Sequence, residues 1–213
     1  MSTNSDLFDQ NVPIKLQKAL LRLVFAGCKT ASDHCYGTFR SNVVAKDVSG
    51  VYRRGVIEDQ WEGIPALFPK QVSVDPRWYK HYTGSYYELT CGVVKLTQSC
   101  VLFRGDIPRQ AEFRATLATN GQGELFEPQP DEDANTEPHH LYAILTYGID
   151  AKAEKRGQPW FIKIEFPNAE CTASVDEGID LIKRYPDIAQ LYLSKPSFEA
   201  AVRERPKRKR KTA

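Results

Sequence analysis

The sequence predicts a single α+β domain with a mainly antiparallel β-sheet, an N-terminal helix, one or two C-terminal helices and a disordered basic tail. Three observations carry this prediction. Residues 13–27 repeat apolar side chains at three- and four-residue spacing, which is typical of a helix packed on a core. Residues 86–103 and 139–168 instead hold runs of Val, Ile, Thr and aromatic residues, which favour strands. The composition, 41% hydrophobic and 26% charged over 213 residues, is that of an ordinary globular protein.

The N-terminal helix is the clearest element. Asn11 is a plausible cap and Pro13 suits a first turn, because its missing N–H would have no partner there. Lys15, Lys18 and Arg22 lie off the apolar stripe formed by Leu16, Ala19, Leu20, Leu23 and Val24. Gly27 is expected to end the helix. Residues 1–10 are predicted to be flexible, and residues 11–202 to form the domain.

Residues 29–69 are predicted to be mostly irregular. The segment 37–50 alternates loosely and favours a strand that ends at the Ser49-Gly50 turn. Glycines and prolines interrupt the segment that follows, so we expect a connection packed onto the core. Arg53 and Arg54 give a weak anion-site signal, since adjacent residues diverge on regular structure.

The densest aromatic stretch, residues 75–87, is the first candidate for a binding surface. Nucleic-acid contact is one interpretation, because bases stack on rings while Lys and Arg neutralise phosphates. Tyr and Trp are also favoured anchors of protein interfaces. The third interpretation places half of the rings in the core with their hydroxyls at its rim. The candidate nucleic-acid contacts here are Arg77, Trp78, Tyr79, Lys80 and Tyr82.

Further β-structure is predicted through residues 86–127. Gly92 interrupts the first β-like run and indicates a bulge or a close backbone approach. Residues 112–127 alternate around Asn120-Gly121, a dipeptide typical of tight hairpin turns. Residues 128–138 are rich in Pro and acidic residues and are predicted to be a surface loop.

Residues 139–168 predict a hairpin at the centre of the domain. Its first strand is apolar on both faces, which is typical of a strand covered on both sides. Its second strand is predicted to have one solvent-facing side carrying Phe161, Lys163 and Glu165. Three cations in the loop are also nucleic-acid candidates, although Asp150 and Glu154 leave it an excess of only about one charge. They are Lys152, Lys155 and Arg156.

The last part of the domain is predicted to be helical. Ser174, with Glu177 three residues later, matches a capping box, and that helix must end before Pro186. Residues 187–193 suit either a further helical turn or an edge strand. A last helix is expected from about residue 196.

The C-terminal tail is the most specific chemical feature. The last fifteen residues hold seven basic and two acidic side chains, a charge of +5, so with a total of +2 the rest of the chain carries 2 − 5, or −3. Such a run is predicted to be disordered and binds polyanions through counterion release, or acts as a nuclear-import signal. The alternative is a tail that keeps the protein soluble and binds no partner. The candidate contacts are Lys207, Arg208, Lys209, Arg210 and Lys211, within residues 203–213.

Catalytic motifs such as GxxxxGK[ST], GxGxxG, HExxH and GxSxG are missing from the sequence. Five scattered cysteines without a CxxC pair favour free thiols, and no cofactor or metal is expected. The preferred hypothesis is a non-enzymatic protein that associates with nucleic acid or a nucleoprotein complex. The first alternative is a protein-binding inhibitor or adaptor that uses residues 77–87. The second is a metal-dependent hydrolase or nuclease, because Asp150, Lys163 and Glu165 loosely match the acid, acid-x-Lys set of such nucleases, although Lys163 precedes Glu165.

The chain is expected inside the cell rather than at a membrane. It has no apolar run of membrane-spanning length and no signal-peptide pattern at its start. We expect a cytoplasmic location, or a nuclear one if the source is eukaryotic.

Overall fold

The computed structural model describes residues 3–79, 84–122, 140–149 and 156–193. The strands of these segments form one six-stranded sheet in the order β1-β2-β3-β4-β5-β6. Only β3 and β4 pair in parallel, and the other four neighbouring pairs are antiparallel. The domain is therefore α+β with a mixed, mostly antiparallel sheet. The strands are β1 (Val72–Trp78), β2 (Ser85–Cys91), β3 (Val94–Cys100), β4 (Leu141–Ile149), β5 (Pro159–Glu165) and β6 (Ile179–Asp180).

Helices cover both faces of this sheet. Four precede β1, one lies between β3 and β4, and two follow β6. The helices are α1 (Asn4–Asn11), α2 (Ile14–Thr38), α3 (Asn42–Trp61), α4 (Ile64–Leu67), α5 (Glu112–Gln122), α6 (Leu181–Arg184) and α7 (Pro186–Tyr192). No helix in the described segments combines the length and hydropathy needed to cross a bilayer.

The larger core lies between one sheet face and helices α1, α2, α3, α6 and α7. Leu89, Leu96, Leu145 and Ile164 face these helices from four strands, and Trp61 of α3 is fully buried among them. Burying such large apolar side chains stabilises the fold by about 1.5–3 kcal/mol each. The smaller core lies on the opposite face, where α5 packs on β4.

The smaller core has fewer members. Leu117 and Ala118 of α5 contact Tyr142 and Ile144 of β4, with Cys171 beside them. The hydroxyl of Tyr142 lies 2.8 Å from that of Thr97 on β3. The hydrogen bond satisfies two buried polar groups between the strands. The sheet is thus the middle of three layers.

Helix α2 corrects the predicted end at Gly27, because it continues for 25 residues to Thr38. Gly27 is a contact point: a Cβ added there would lie 2.5 Å from Cγ1 of Ile57 on α3. The absence of a side chain is what lets the two helices approach each other so closely. Thr3 caps α1 with a capping box and Phe8 of that helix is buried, while the flexibility predicted for residues 1–10 stays a prediction.

Helix α3 replaces the strand predicted for residues 37–50 and the irregular connection after it. Five of its six buried residues recur every four positions, namely Ala45, Ser49, Arg53, Ile57 and Trp61, and the sixth is Glu58. This is a helical spacing, but small and polar members conceal the stripe from a search for apolar residues. Helix α5 likewise occupies the first part, Glu112–Gln122, of the hairpin predicted for residues 112–127, and the rest of that prediction lies outside the described segments. There, Asn120-Gly121 lies in the last turn of a helix.

The hairpin of β4 and β5 is confirmed, and so is the burial of β4 on both faces. The predicted solvent-facing side of β5 is wrong. Lys163 and Glu165 are buried and form an ion pair of 2.7 Å between Nζ and Oε1. Their charges are tolerated because each provides the other with a partner.

The predicted helix at residues 174–186 begins later than the capping-box pattern indicated. Ser174 forms a bridge with Pro167, and the helix α6 is capped by Asp180, whose side chain accepts from the backbone N–H of Lys183. Helix α6 does end before Pro186, which then starts α7. Residues 187–192 are helical rather than an edge strand. The helix expected from residue 196 lies outside the described segments.

Candidate functional site

Strands β2 and β3 separate partway along their length. Their pairing covers only three positions next to the turn, from Cys91↔Val94 to Leu89↔Leu96. Beyond Leu89, β2 continues in register with β1, whereas β3 continues in register with β4. The sheet therefore forks, and we call the opening between residues 85–88 and 97–100 the fork.

A pocket of about 180 Å³ occupies the fork. It lies where β1 and β3, which run in the same direction, end and where β2 begins. The lining residues come from both sheet faces: Gly50, Arg54, Glu58, Tyr79, Tyr86, Thr97, Gln98, Ser99, Cys100, Phe113 and Arg114.

Helix α3 supplies one wall through residues spaced by one turn. Arg54 and Glu58 are four positions apart, and Arg54 Nε donates to Glu58 Oε1 at 3.0 Å. The guanidinium also donates to the backbone carbonyl of Ser85 at the start of β2. On the other side, Gln98 Nε2 donates to the same Glu58 oxygen at 3.1 Å. Glu58 thus joins α3 to β3 behind the pocket.

Three aromatic rings form the opposite wall. Tyr86 and Phe113 stack with centroids 3.9 Å apart, and Tyr79 lies 5.8 Å from Tyr86 and 5.5 Å from Phe113. The guanidinium of Arg114 lies over the Phe113 ring at 4.8 Å. Rings at these separations attract one another and a cation over their faces. They give the pocket a flat apolar side beside a positive charge.

The pocket has a small positive excess, and two of its lining residues each bury an unsatisfied polar atom. Its lining residues include two arginines and one glutamate, a formal charge of +1. Gln98 Oε1 and Arg114 Nε are buried without a hydrogen-bond partner in the described part of the chain. Burial, followed by the nearby charge of Glu88, raises the pKa of the Tyr86 hydroxyl. That hydroxyl stays protonated at neutral pH.

The exposed edge of β1 continues this surface outside the pocket. Trp78 is 64% exposed and Arg77 is exposed beside it. The Arg77 guanidinium lies 3.7 Å from the carboxylate of the buried Glu88, and Lys95 lies 3.9 Å from the same oxygen. Strand alternation places Arg77 and Trp78 on opposite faces, so they flank the β1 edge rather than form one patch.

Some of the predicted nucleic-acid contacts lie in or next to the fork pocket, one lies elsewhere, and the others are outside the described segments. Tyr79 reaches the pocket, with Trp78 and Arg77 next to it. Arg156 is exposed before β5 and is not among the pocket-lining residues. The remaining predicted contacts lie outside the described segments: Lys80, Tyr82, Lys152, Lys155, Lys207, Arg208, Lys209, Arg210 and Lys211.

The described segments contain no group of three or more His, Cys, Asp or Glu side chains placed to hold a metal ion. Glu165, which the sequence offers as one acid of a nuclease-like set, pairs with Lys163 and accepts from the Ser174 hydroxyl at 3.0 Å. Asp150, the other acid of that set, lies outside these segments.

Comparison with known proteins adds no family to this description. The chain matches no family model, no curated protein and no solved structure. The candidate site rests on its own geometry.

Most pocket residues were not selected from the sequence, among them Glu58, Gln98, Phe113 and Arg114. The sequence signals for the site were Tyr79 in the aromatic stretch and Arg54 beside Arg53, and the second was interpreted as weak. An Arg and a Glu four residues apart indicate a pair only once the segment is known to be helical. Gln98 and Phe113 are separated in sequence and meet only because the sheet forks beside α5.

Proposed function

We propose that this protein binds single-stranded nucleic acid across the fork. The observation that supports the proposal is the stack of Tyr79, Tyr86 and Phe113 beside the guanidinium groups of Arg54 and Arg114. Proteins that bind single strands combine aromatic platforms for the bases with cations that follow the phosphates.

The β1 edge extends this surface beyond the pocket. Trp78 offers a further exposed ring, and Arg77 and Lys95 bring two cations to the single carboxylate of Glu88. A strand leaving the pocket would meet the Trp78 ring on one face of the sheet, or the net positive charge beside Glu88 on the other. The basic run at residues 207–211 adds attraction that does not depend on sequence, since each phosphate contact releases counterions.

Binding of labelled single- and double-stranded DNA and RNA over a salt series tests the proposal. The full chain is expected to prefer single strands. Removal of residues 203–213 should lower affinity and flatten the salt dependence while the preference for single strands remains. Arg114→Ala should weaken binding and lower the salt slope by about one, the contribution of one phosphate contact.

Arg22→Ala is the matched control, because it removes one exposed cation from α2, away from the pocket. Its affinity for single strands should stay within about twofold of that of the wild type. Lack of binding to every nucleic acid at low salt would reject the proposal. Equal losses for Arg114→Ala and Arg22→Ala would reject the fork as the contact surface.

A second candidate function is a protein-binding module. Strand β1 is an edge of the sheet, pairing only with β2, and carries the exposed Trp78. Partners add strands to such edges and use exposed aromatic residues as anchors. Under this function, Trp78→Ala abolishes capture of a protein partner after nuclease treatment, whereas Phe103→Ala, at a second exposed ring, leaves capture intact.

A further inference from the structure

One face of helix α3 carries apolar residues that the described segments leave exposed. Val44, Val48 and Val51 are 43%, 37% and 78% exposed, and Gly55 continues the line one turn later and is also exposed. Their spacing of four, three and four residues places all four on one face of the helix. We call them the outer stripe, since they are distinct from the residues that α3 buries in its own core. Contiguous exposed apolar residues mark interaction surfaces, whereas single ones are ordinary.

Helix formation by itself does not favour the residues of the outer stripe. Val is a weaker helix former than Ala, Leu, Lys or Glu, because its branched side chain loses rotamer freedom. A glycine is weaker still, and a Cβ built on Gly55 meets nothing within 4 Å beyond its own helix backbone in the described segments. Pairing with a second helix gives both residue types a role. The four-three-four spacing is that of paired helices, and glycine allows them to approach closely.

The outer stripe is complementary to itself when two copies of α3 run antiparallel. A twofold axis midway between residues 48 and 51 places Val48 opposite Val51 of the partner subunit. The same axis places Val44 opposite Gly55 of the partner subunit, so a large residue meets a small one at each end of the stripe. A parallel pair would instead place Gly55 opposite its own copy and leave a void there.

The charges beside the outer stripe agree with the antiparallel arrangement. Asp47 and Arg54 flank the stripe at positions that meet across an antiparallel pair of helices. Asp47 is exposed, and the side chain of Arg54 is 41% exposed. The guanidinium has five N–H groups, more than the two that bind Glu58 and Ser85. Each pair of helices thus gains two contacts between opposite charges, one on either side of the twofold axis.

We propose that two copies of this chain associate through antiparallel pairing of their α3 helices along the outer stripe. The twofold complementarity favours a second copy over an unrelated protein, because the same residues serve on both sides of such an interface. This association goes beyond the proposed binding of nucleic acid and does not depend on it.

Sedimentation equilibrium of the full chain, up to about 100 µM, tests the association. We expect a species of twice the 24.2 kDa chain mass that dissociates on dilution. Val51→Glu places a charge in the interface, and should raise the dissociation constant of the dimer by more than about tenfold. Leu191→Glu, at a side chain of similar exposure (76%) on α7, is the matched control. It should leave the dissociation constant within about twofold of the wild-type value.

Cysteine crosslinking tests the orientation of the helices, in a Cys100→Ser background that removes the exposed native thiol. Val44→Cys and Gly55→Cys proteins, mixed with oxidised glutathione, should form a disulfide with each other, whereas neither should link to itself. In the antiparallel pair, the two copies of either position are separated by the rise from residue 44 to residue 55, about 16 Å. This separation is beyond the reach of a disulfide.

The outcomes are decisive at each step. A chain that stays monomeric up to about 100 µM overturns the proposal. An unchanged dissociation constant in Val51→Glu, with the far-UV circular dichroism of the wild type, overturns the outer stripe as the interface. Self-linking of the Val44→Cys or Gly55→Cys protein, with no additional product on mixing, overturns the antiparallel arrangement. If Val51→Glu does not fold, the crosslinking decides.

Discussion

Tyr86 on β2 and Phe113 on α5 stack with their ring centroids 3.9 Å apart and their planes inclined by 23°. The two residues belong to different layers of the fold, and their contact closes one side of the fork. The stack couples the packing of α5 to the shape of the pocket.

Phe113→Ala should weaken the binding of single-stranded oligonucleotides by about tenfold, since a base stacked on an aromatic side chain contributes about 1–3 kcal/mol. Fluorescence anisotropy at fixed salt measures the effect. Phe103→Ala removes a ring that is exposed but does not line the pocket, and should change affinity by less than about twofold. Similar losses in both variants would contradict a role for the stack in binding.

Because Lys163 and Glu165 form a buried ion pair, we expect the effects of replacing them on the free energy of unfolding to be strongly coupled. Lys163→Met and Glu165→Leu should each lower the free energy of unfolding by about 3–5 kcal/mol, because each leaves a buried group without its partner. The double variant Lys163→Met/Glu165→Leu should recover much of this loss. Urea unfolding measures all three changes.

The exposed pair Lys29–Asp33, whose nitrogen and oxygen lie 2.5 Å apart, is the control for the buried one. Lys29→Met should cost less than about 1 kcal/mol, as expected for surface ion pairs. Additive losses at Lys163 and Glu165, with no recovery in the double variant, would contradict the coupling.

Glu165 should make the free energy of unfolding depend on pH. Burial raises the pKa of its carboxyl above the ordinary 4.5, although Lys163 and then Ser174 oppose the shift. Between 4.5 and the raised pKa, the folded state binds more protons than the unfolded state. The contribution of Glu165 to stability is therefore greatest below pH 4.5 and falls as the pH rises through this window.

Urea unfolding of the wild type and Glu165→Gln at several pH values isolates this contribution. The difference in unfolding free energy, wild type minus variant, should decrease as the pH rises above 4.5 and be constant below it. A difference that increases with pH across this window would mean that the pKa is lowered by its partners instead.

Cys100 is the exposed cysteine, whereas Cys28, Cys35, Cys91 and Cys171 are buried. A thiol-specific disulfide reagent should modify one thiol of the folded protein rapidly and all five after unfolding. Cys100→Ser should abolish the fast phase, and Cys35→Ser should preserve it. Because Cys100 lines the fork pocket, a saturating single-stranded oligonucleotide should slow its modification.

Some helices and strands could be predicted from local sequence, because their buried side chains repeat with the period of a helix or a strand. The apolar stripe of α2 and the doubly apolar β4 were predicted correctly, since their burial repeats with the period of the element. For Gly92 the sequence left a bulge or a close backbone approach open, and the structure shows a close approach. Gly92 turns between β2 and β3 at φ 58°, where Asn11 leaves no room for a side chain.

Elements that depend on distant partners were misassigned. Helix α3 buries Ser49 and Arg53 on its core side, so its stripe does not look apolar. Arg53 is accommodated there by contacts with Ser49 and with Sγ of Cys100 on β3, 3.9 Å away. Lys163 and Glu165 were predicted to face solvent because charged side chains are usually exposed. Inside the fold they pair with each other instead.

The amino-acid sequence by itself determined the mixed helix and sheet content, the central hairpin and the basic C-terminal run. Only the tertiary structure decided where a site lies. The fork exists because β2 follows β1 and β3 follows β4, and this choice of neighbours is a property of the whole sheet. It brings Glu58, Gln98 and Phe113 together, residues whose separation in sequence gives no local pattern that would predict their contact.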